Sequence, residues 1–341
     1  MFSMERNRRP LIPLFVLGFL LCPFKVDAES QTSYPKALQT FQNHLQSKQR
    51  EVDQRSGGFR KPGLPFLLTH GHPTRYCVLL FHGLSDSPYF MRDIAESLFQ
   101  QGYNVVAPLI SGNGTKLSDL EKISLSDWRM DETLGMRIAS GLGEKVIAGG
   151  LSAGGALSVD TARRFPEKVE GLLLFSPALC FQKKTTCLSC WYKGGYVAGK
   201  TKDVPIRYQK ISNNGVCQLY HLVQELDLAP EKSQYQVPLF AALTEYDDVI
   251  KVQWTIDWIE GQNSPDHLIL AYAKHPPESE LTFPNKDRAI VIPADEICHA
   301  QITRKTNEYN NEWNPWFGEM EKALMGFMRK NFYPGKKENK K

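Results

Sequence analysis

The segment Lys145-Val-Ile-Ala-Gly-Gly-Leu-Ser-Ala-Gly-Gly155 holds a serine between two glycines, Gly150-x-Ser152-x-Gly154. A serine in this pattern can attack an acyl carbon when it sits on a sharp turn between a strand and a helix. The turn strains the backbone, and side chains at 150 and 154 would collide with it, so glycines fit there. The same turn aims the hydroxyl over the sheet and at a helix N-terminus, whose partial positive charge favours a developing anion. An alcohol is a poor nucleophile until a base takes its proton, and the base needs a carboxylate to fix its tautomer and balance its charge. G-x-S-x-G is common by chance, so its weight depends on the elements around it.

Those elements are present. Short apolar runs rich in Val, Ile, Leu and Phe occur at 76–81, 104–109, 145–148, 171–175, 238–243, 267–271 and 289–292. Nearly unbroken apolar runs of this length predict strands buried on both faces. Helical patterns lie between them, at 90–101, 126–142, 153–165, 251–260 and 315–331. Strands alternating with helices predict a mostly parallel sheet covered on both sides, a three-layer α/β domain. Ser152 then falls between a strand and a helix, as the chemistry requires. The alternation fails over 178–236, where cysteines, glycines, prolines and lysines mix without a period. An insertion between two strands of such a sheet sits over their carboxyl ends, where ligands bind, and this one reads as a cap.

A second buried strand ends in Cys77-Val-Leu-Leu-Phe-His82-Gly83-Leu84-Ser85. With Gly112-Asn113-Gly114, Asp127-Trp128 and Gly150-Leu-Ser-Ala-Gly154, it gives the chain a pattern that resembles the bacterial carboxylesterase and monoacylglycerol lipase branch of the α/β-hydrolase superfamily. The resemblance is good over 75–178, loose over 237–300 and poor in the cap. It implies the α/β-hydrolase fold with an inserted cap, and an oxyanion hole built from the backbone N–H groups of Leu84 and Ala153. It implies a structural role for His82 rather than that of base. Members of this superfamily order their triad as Ser, then Asp or Glu, then His. The acid then belongs in Thr244-Glu-Tyr-Asp-Asp-Val-Ile250, where the family register selects Asp247 over Asp248 and Glu245. Of the eight histidines, His267, His275 and His299 follow it. His267 opens a strand; His299, after the last strand, is preferred as base, and His275 remains the alternative.

The resemblance implies hydrolysis of a small-molecule or lipid-like ester without metal, nucleotide or organic cofactor. A lysophospholipase or acyltransferase would use the same residues on another acyl donor or acceptor. A serine aminopeptidase shares the fold, and a catalytically silent binding protein would keep the fold without the chemistry. Tyr192, Tyr196, Tyr208 and Tyr220 give the cap an aromatic character that suits lipid-like esters and peripheral membrane contact, and equally suits packing. The oligomeric state is not written in the sequence.

Composition bounds the rest. The chain has 341 residues, 42% hydrophobic and 23% charged, as a folded globular protein does. Its net charge of +4 comes from its ends: residues 1–28 carry +2 and 336–341 carry +3, leaving a body near −1. No basic surface for nucleic acid follows. Arg6, Arg8 and Arg9 precede a short apolar run over 11–21, and Val26-Asp27-Ala28 offers a cleavage pattern. Residues 1–28 therefore read as a signal peptide cut near Ala28, with export to the periplasm or beyond. A helical extension over 29–60, a core of 61–177 and 237–333, the cap over 178–236 and a basic tail over 334–341 complete the organisation. Seven cysteines become six once Cys22 is removed, an even number that favours disulfides in an oxidising compartment. Four of them, Cys180, Cys187, Cys190 and Cys217, lie together and allow three pairings or, through Cys187-x-x-Cys190, a zinc site. Cys77 and Cys298 are expected to be buried.

Overall fold

The structure, a computed structural model, describes residues 32–54, 63–192, 194–198, 206–229, 235–305 and 313–333. The signal peptide, its cleavage near Ala28, Cys22 and the tail over 334–341 lie outside the described residues. In chain order the elements are α1 (Tyr34–Gln54), β1 (Phe66–Leu68), β2 (Thr74–Phe81), α2 (Arg92–Gln100), β3 (Asn104–Ala107), α3 (Leu117–Leu120), α4 (Leu125–Leu142), β4 (Gly143–Leu151), α5 (Ala153–Arg164) and β5 (Val169–Phe175). They continue with β6 (Tyr196–Ala198), β7 (Lys210–Ser212), α6 (Asn213–Leu226), β8 (Leu239–Thr244), α7 (Val252–Glu260), β9 (His267–Ala273), β10 (Ala289–Pro293) and α8 (Phe317–Asn331).

An apolar run buries both faces only if both faces are covered, and β2 shows how. Side chains alternate across a strand, so Cys77, Leu79 and Phe81 enter one core while Tyr76, Val78 and Leu80 enter the other. The first core is closed by α1, α4, α5, α6 and α7, the second by α2 and α8. The eight-stranded sheet runs β1-β3-β2-β4-β5-β8-β9-β10, and every pairing is parallel except β1 with β3. This is the three-layer α/β architecture, with β4 at the centre between β2 and β5. Helix α4 is started by a capping box, in which Ser124 N–H donates to Asp127 Oδ2 at 2.8 Å and Asp127 N–H to Ser124 Oγ at 3.4 Å.

Three expectations are corrected. The run at 289–292 forms β10, but as an edge strand paired only with β9, so Ile290 and Val291 are exposed instead of buried. Cys298 is exposed, because it lies on the loop after that edge. The stretch over 178–236 is not without period: α6 buries Cys217, Leu219, Leu222, Val223 and Leu226 along one face. Strand β1, only three residues long, has no counterpart among the runs read from sequence.

A disulfide joins Cys190 to Cys217 across α6 and the 3₁₀ turn before it, while Cys77 is a buried thiol of β2. His221 Nε2 lies 3.6 Å from Cys190 Sγ. The disulfide takes one of the two sulfurs of Cys187-x-x-Cys190 that a zinc ion would need as thiolates. Among the described residues no helix is long and apolar enough to cross a membrane. Peptide mapping without reductant should find Cys190 linked to Cys217. With 27 residues of separation between the two cysteines, Cys217→Ser should lower the unfolding free energy by about 3 kcal/mol in urea titration, the scale of closing such a loop.

Candidate active site

Ser152 stands between β4 and α5 at φ 55° and ψ −116°. This is a region that side chains other than glycine rarely adopt, and it is maintained only where the surroundings dictate it. Here they do. Ser152 N–H donates to Phe175 O on the neighbouring strand at 3.0 Å, and its carbonyl accepts from Gly155 N–H and Ala178 N–H, both at 2.9 Å. A Cβ on residue 150 would strike the backbone of Gly154, and one on 154 the backbone of Phe81. The glycines are thus required by close backbone approach. Ala153 is the first residue of a helix of 12 residues, so its N–H belongs to the unpaired first turn.

Asp247 follows β8 and is buried. Its Oδ1 accepts from Val249 N–H at 2.9 Å and Ile250 N–H at 3.0 Å, and its Oδ2 lies 2.6 Å from His299 Nδ1. This pairing fixes the imidazole with its proton on Nδ1, facing the carboxylate. His299 Nε2 is buried and, among the described residues, has no hydrogen-bond partner. The loop that carries His299 is strapped to the end of β8: Thr244 Oγ1 donates to Ile297 O at 2.7 Å and Tyr246 Oη to Ala294 O at 3.0 Å. Burial disfavours the imidazolium, but the charges of Asp247, Asp86 and Asp248 and the Asp247 hydrogen bond outweigh it and raise the His299 pKa above its ordinary value. Ser152, Asp247 and His299 all follow the carboxyl ends of parallel strands, the edge where open α/β sheets bind ligands.

The alternatives stand elsewhere. Asp248 is exposed, and Glu245 accepts from Lys274 N–H and Glu280 N–H, both at 2.8 Å, holding the loop after β9. His275 is exposed and faces Asp295 at 3.7 Å. His267 packs at the start of β9 against Glu260 and Arg288.

Leu84 lies half-buried in the turn that follows β2, closed by Asp86 N–H to Gly83 O at 3.1 Å. His82, just before it, is a buried structural residue. Its Nδ1 sits 2.9 Å from Gly83 O and its Nε2 accepts from Ile110 N–H at 3.1 Å, while burial pushes its pKa down to about 4. The other sequence motifs have structural work in the same region. Asn113 Oδ1 accepts from Ser85 N–H at 3.1 Å, and Trp128 Nε1 donates to Ser111 O at 3.1 Å. Two residues went unmarked in the sequence. Arg207, from the insertion, places Nε 2.5 Å from Asp86 Oδ1, and both side chains are buried. Nothing in the spacing of 86 and 207 announces this contact; only the aspartate's place in the turn after His82-Gly83 could have.

Comparison with known proteins adds to this geometry. A family model described as serine aminopeptidase, S33, matches residues 72–202. The thermostable monoacylglycerol lipase of Bacillus sp. (strain H-257) is 33% identical over 90 residues, which are 26% of this chain and 36% of that lipase. The chain thus spans about a third of the length of that curated relative. Among solved structures, one of the metagenome-derived lipolytic enzymes LipS and LipT superposes with a TM-score of 0.62 at 21% identity, covering 79% of this chain and 98% of the other. The monoacylglycerol lipase of Paleococcus ferrophilus gives 0.57 at 17% identity, with 78% and 98% covered. At these identities the structural matches speak to the fold.

If the balance of charges around His299 is as described, its imidazole should titrate above the ordinary value of about 6.5. Asp247→Asn should bring that titration down. Imidazole NMR over a pH series measures both.

Proposed function

We propose that this chain belongs to the α/β-hydrolase superfamily and is a serine hydrolase that cleaves carboxylic esters through an acyl-enzyme on Ser152, a reading supported by the family model over 72–202, the short identity with a monoacylglycerol lipase and the fold. The observation that carries the reading is the imidazole of His299: Nδ1 is committed to Asp247, and Nε2 is buried with no hydrogen-bond partner among the described residues. A histidine oriented in this way is equipped to take a proton on Nε2.

In the first half-reaction, His299 Nε2 accepts the Ser152 proton as Oγ bonds to the ester carbonyl carbon. The carbonyl oxygen becomes an oxyanion, held by the N–H groups of Leu84 and Ala153. Asp247 stabilises the imidazolium without taking its proton. The tetrahedral intermediate collapses, the ester C–O bond breaks, and His299 returns the proton to the departing alcohol. Water then gives a proton to His299 and attacks the acyl-enzyme, and a second collapse frees Ser152 and the carboxylic acid.

The short identity with a monoacylglycerol lipase favours a lipid-like ester. So does the insertion over 178–236, which as a cap exposes Leu188, Trp191, Tyr192, Tyr196 and Val197 and offers a surface for peripheral membrane contact. Export is favoured by the Cys190–Cys217 disulfide, which suits an oxidising compartment. The serine aminopeptidase reading draws on the family model over 72–202 and is separated by substrate: aryl and glycerol esters of graded chain length against aminoacyl naphthylamides.

A fluorophosphonate probe should label the wild type and leave Ser152→Ala unlabelled, with ester turnover falling about ten-thousandfold or more in that variant. A folded wild type that takes no label, or that turns over peptides and no ester, removes the reading. The pH profile of kcat/KM should lose activity as pH falls through the raised His299 pKa, because only the neutral imidazole can accept the serine proton. Its acid limb should therefore lie above about pH 6.5.

A further inference from the structure

The turn after β2 carries a carboxylate that ester hydrolysis does not call for. A Cβ on residue 83 would meet the Asp86 carboxylate, with Cγ at 3.4 Å, and would lie 3.5 Å from Ser152 Cβ. Asp86 and the side chain of Ser152 therefore both border the same glycine. A bare negative charge here would oppose an oxyanion forming beside Leu84 and would hold His299 in its charged form. Asp86 is not bare. Arg207 Nε meets Asp86 Oδ1 at 2.5 Å, both side chains are almost wholly buried, and the guanidinium carbon stacks 4.1 Å from the centre of the Phe90 ring. The next residue continues the contact. Tyr208 N–H donates to Ser85 O at 3.0 Å, Tyr208 Oη accepts from Thr115 N–H at 3.1 Å, and the same oxygen donates to Gly112 O at 3.1 Å. On the other side Asn113 takes the Ser85 N–H. Ser85 itself is held at φ 71°, a conformation that needs such support.

We propose that Arg207 and Asp86 are positioning residues for the reaction: the buried pair fixes the turn that presents the Leu84 N–H, and Arg207 cancels the Asp86 charge next to Ser152 and His299. The pair reaches from the insertion to the core, so the segment that covers the strand ends also sets the geometry of one oxyanion donor. Removing Arg207 takes the guanidinium away from a buried carboxylate, which costs more than an exposed pair would. The charged groups that act on His299 are Asp247, Asp86 and Asp248. Arg304, whose guanidinium carbon lies 5.7 Å from the centre of the Phe90 ring, is itself paired with Asp93 at 3.6 Å. Without Arg207, the uncancelled Asp86 holds a proton on His299 more strongly; without Asp86, less so.

The catalytic part of this inference rests on the ester-hydrolase reading, and the test separates the two. In the full chain, Arg207→Met, Arg207→Lys, Asp86→Asn and the double variant Asp86→Asn with Arg207→Met are followed by imidazole NMR titration and by kcat and KM on an aryl butyrate. Arg207→Met should raise the His299 pKa and Asp86→Asn should lower it, with the double variant close to wild type. Arg207→Met should lose roughly ten- to a hundredfold, mainly in kcat, the scale of a misplaced oxyanion donor. Arg207→Lys should keep the wild-type titration, and the double variant should be several-fold more active than Arg207→Met. The proposal is overturned if Arg207→Met loses activity with His299 unmoved, or if the double variant is no better than the single one. Should Arg207→Met not fold, Asp86→Asn alone decides, since an unchanged His299 titration there excludes the charge coupling. A wild type that is unlabelled by fluorophosphonate and inert to esters ends the hydrolase reading, while the titrations still report whether Arg207 screens Asp86.

Discussion

A serine forced to positive φ between a strand and a helix is the constraint on which the rest of this structure turns. Such a conformation costs about 1–3 kcal/mol and persists only when its surroundings over-determine it. They begin with β4, which lies at the centre of the sheet, so that Gly150 stands beside Phe81 on one side and Leu151 beside Phe175 on the other. Helix α5 then starts at once, with every residue from Ala153 to Ala162 buried. This abrupt passage from strand to helix leaves the Ser152 carbonyl where Gly155 and Ala178 both reach it. Loosening any of these contacts would let the turn relax, and the hydroxyl would lose its aim before the fold was lost.

The two residues proposed to act with that serine come from far along the chain. Asp247 and His299 are 52 residues apart in sequence, yet they meet at 2.6 Å because β8, β9 and β10 are consecutive parallel neighbours. Parallel strands deliver all their carboxyl ends to one edge, and a loop leaving any of them can reach its neighbour. The loop after β10 does so through Thr244 and Tyr246, which fasten it to the end of β8. That explains how an exposed edge strand such as β10 can precede a well-placed histidine: the loop takes its position from the interior of the sheet.

The same physics decides what could be read from the amino-acid sequence. Six of the seven runs appear as strands because both-face burial writes an unbroken apolar signature, and the glycines at 150 and 154 appear because backbone contact excludes side chains. Strand β1 is too short to carry a signature, and the exposure of β10 depends on its being last in the sheet, which no local pattern encodes. Helix α6 escapes because Asn213, Asn214, Gly215 and Gln218 blur its first turns; Asn214 and Gln218 are there to bind the loop before α4. The choice of Asp247 over Asp248 and of His299 over His275 came from register and chain order, and the structure brings the first of each pair together. The Asp86–Arg207 contact was beyond reach, since a buried ion pair between a turn and an insertion leaves no periodic trace.

Electrostatics also explains why the insertion is less separate than its composition suggests. Arg129 of α4 pairs with Asp160 of α5 at 3.2 Å and with Glu225 of α6 at 2.5 Å, while Arg163 Nη1 donates to Glu225 O at 3.2 Å. Beneath them Glu132 meets Arg164 at 2.5 Å; burial and the nearby Asp160 raise its pKa well above the usual carboxylate range, with Arg164 opposing. Three helices are thus stitched by charges at the rim of one apolar layer, in which Leu219, Leu222 and Val223 of α6 share a core with Ala156 and Leu157 of α5. A lone arginine at a helix surface would contribute little, because solvent screens it; here buried carboxylates on α4 and α5 draw the guanidinium groups inward. Helix α6 is therefore a further layer of the core rather than a flap. Before α6, the Cys190–Cys217 disulfide, the Asn213 side chain on Tyr192 O, the pairing of β6 with β7 and the hydrogen bond from Tyr196 Oη to Glu121 hold the insertion, and there Trp191 and Tyr192 turn outward, 84% and 70% exposed.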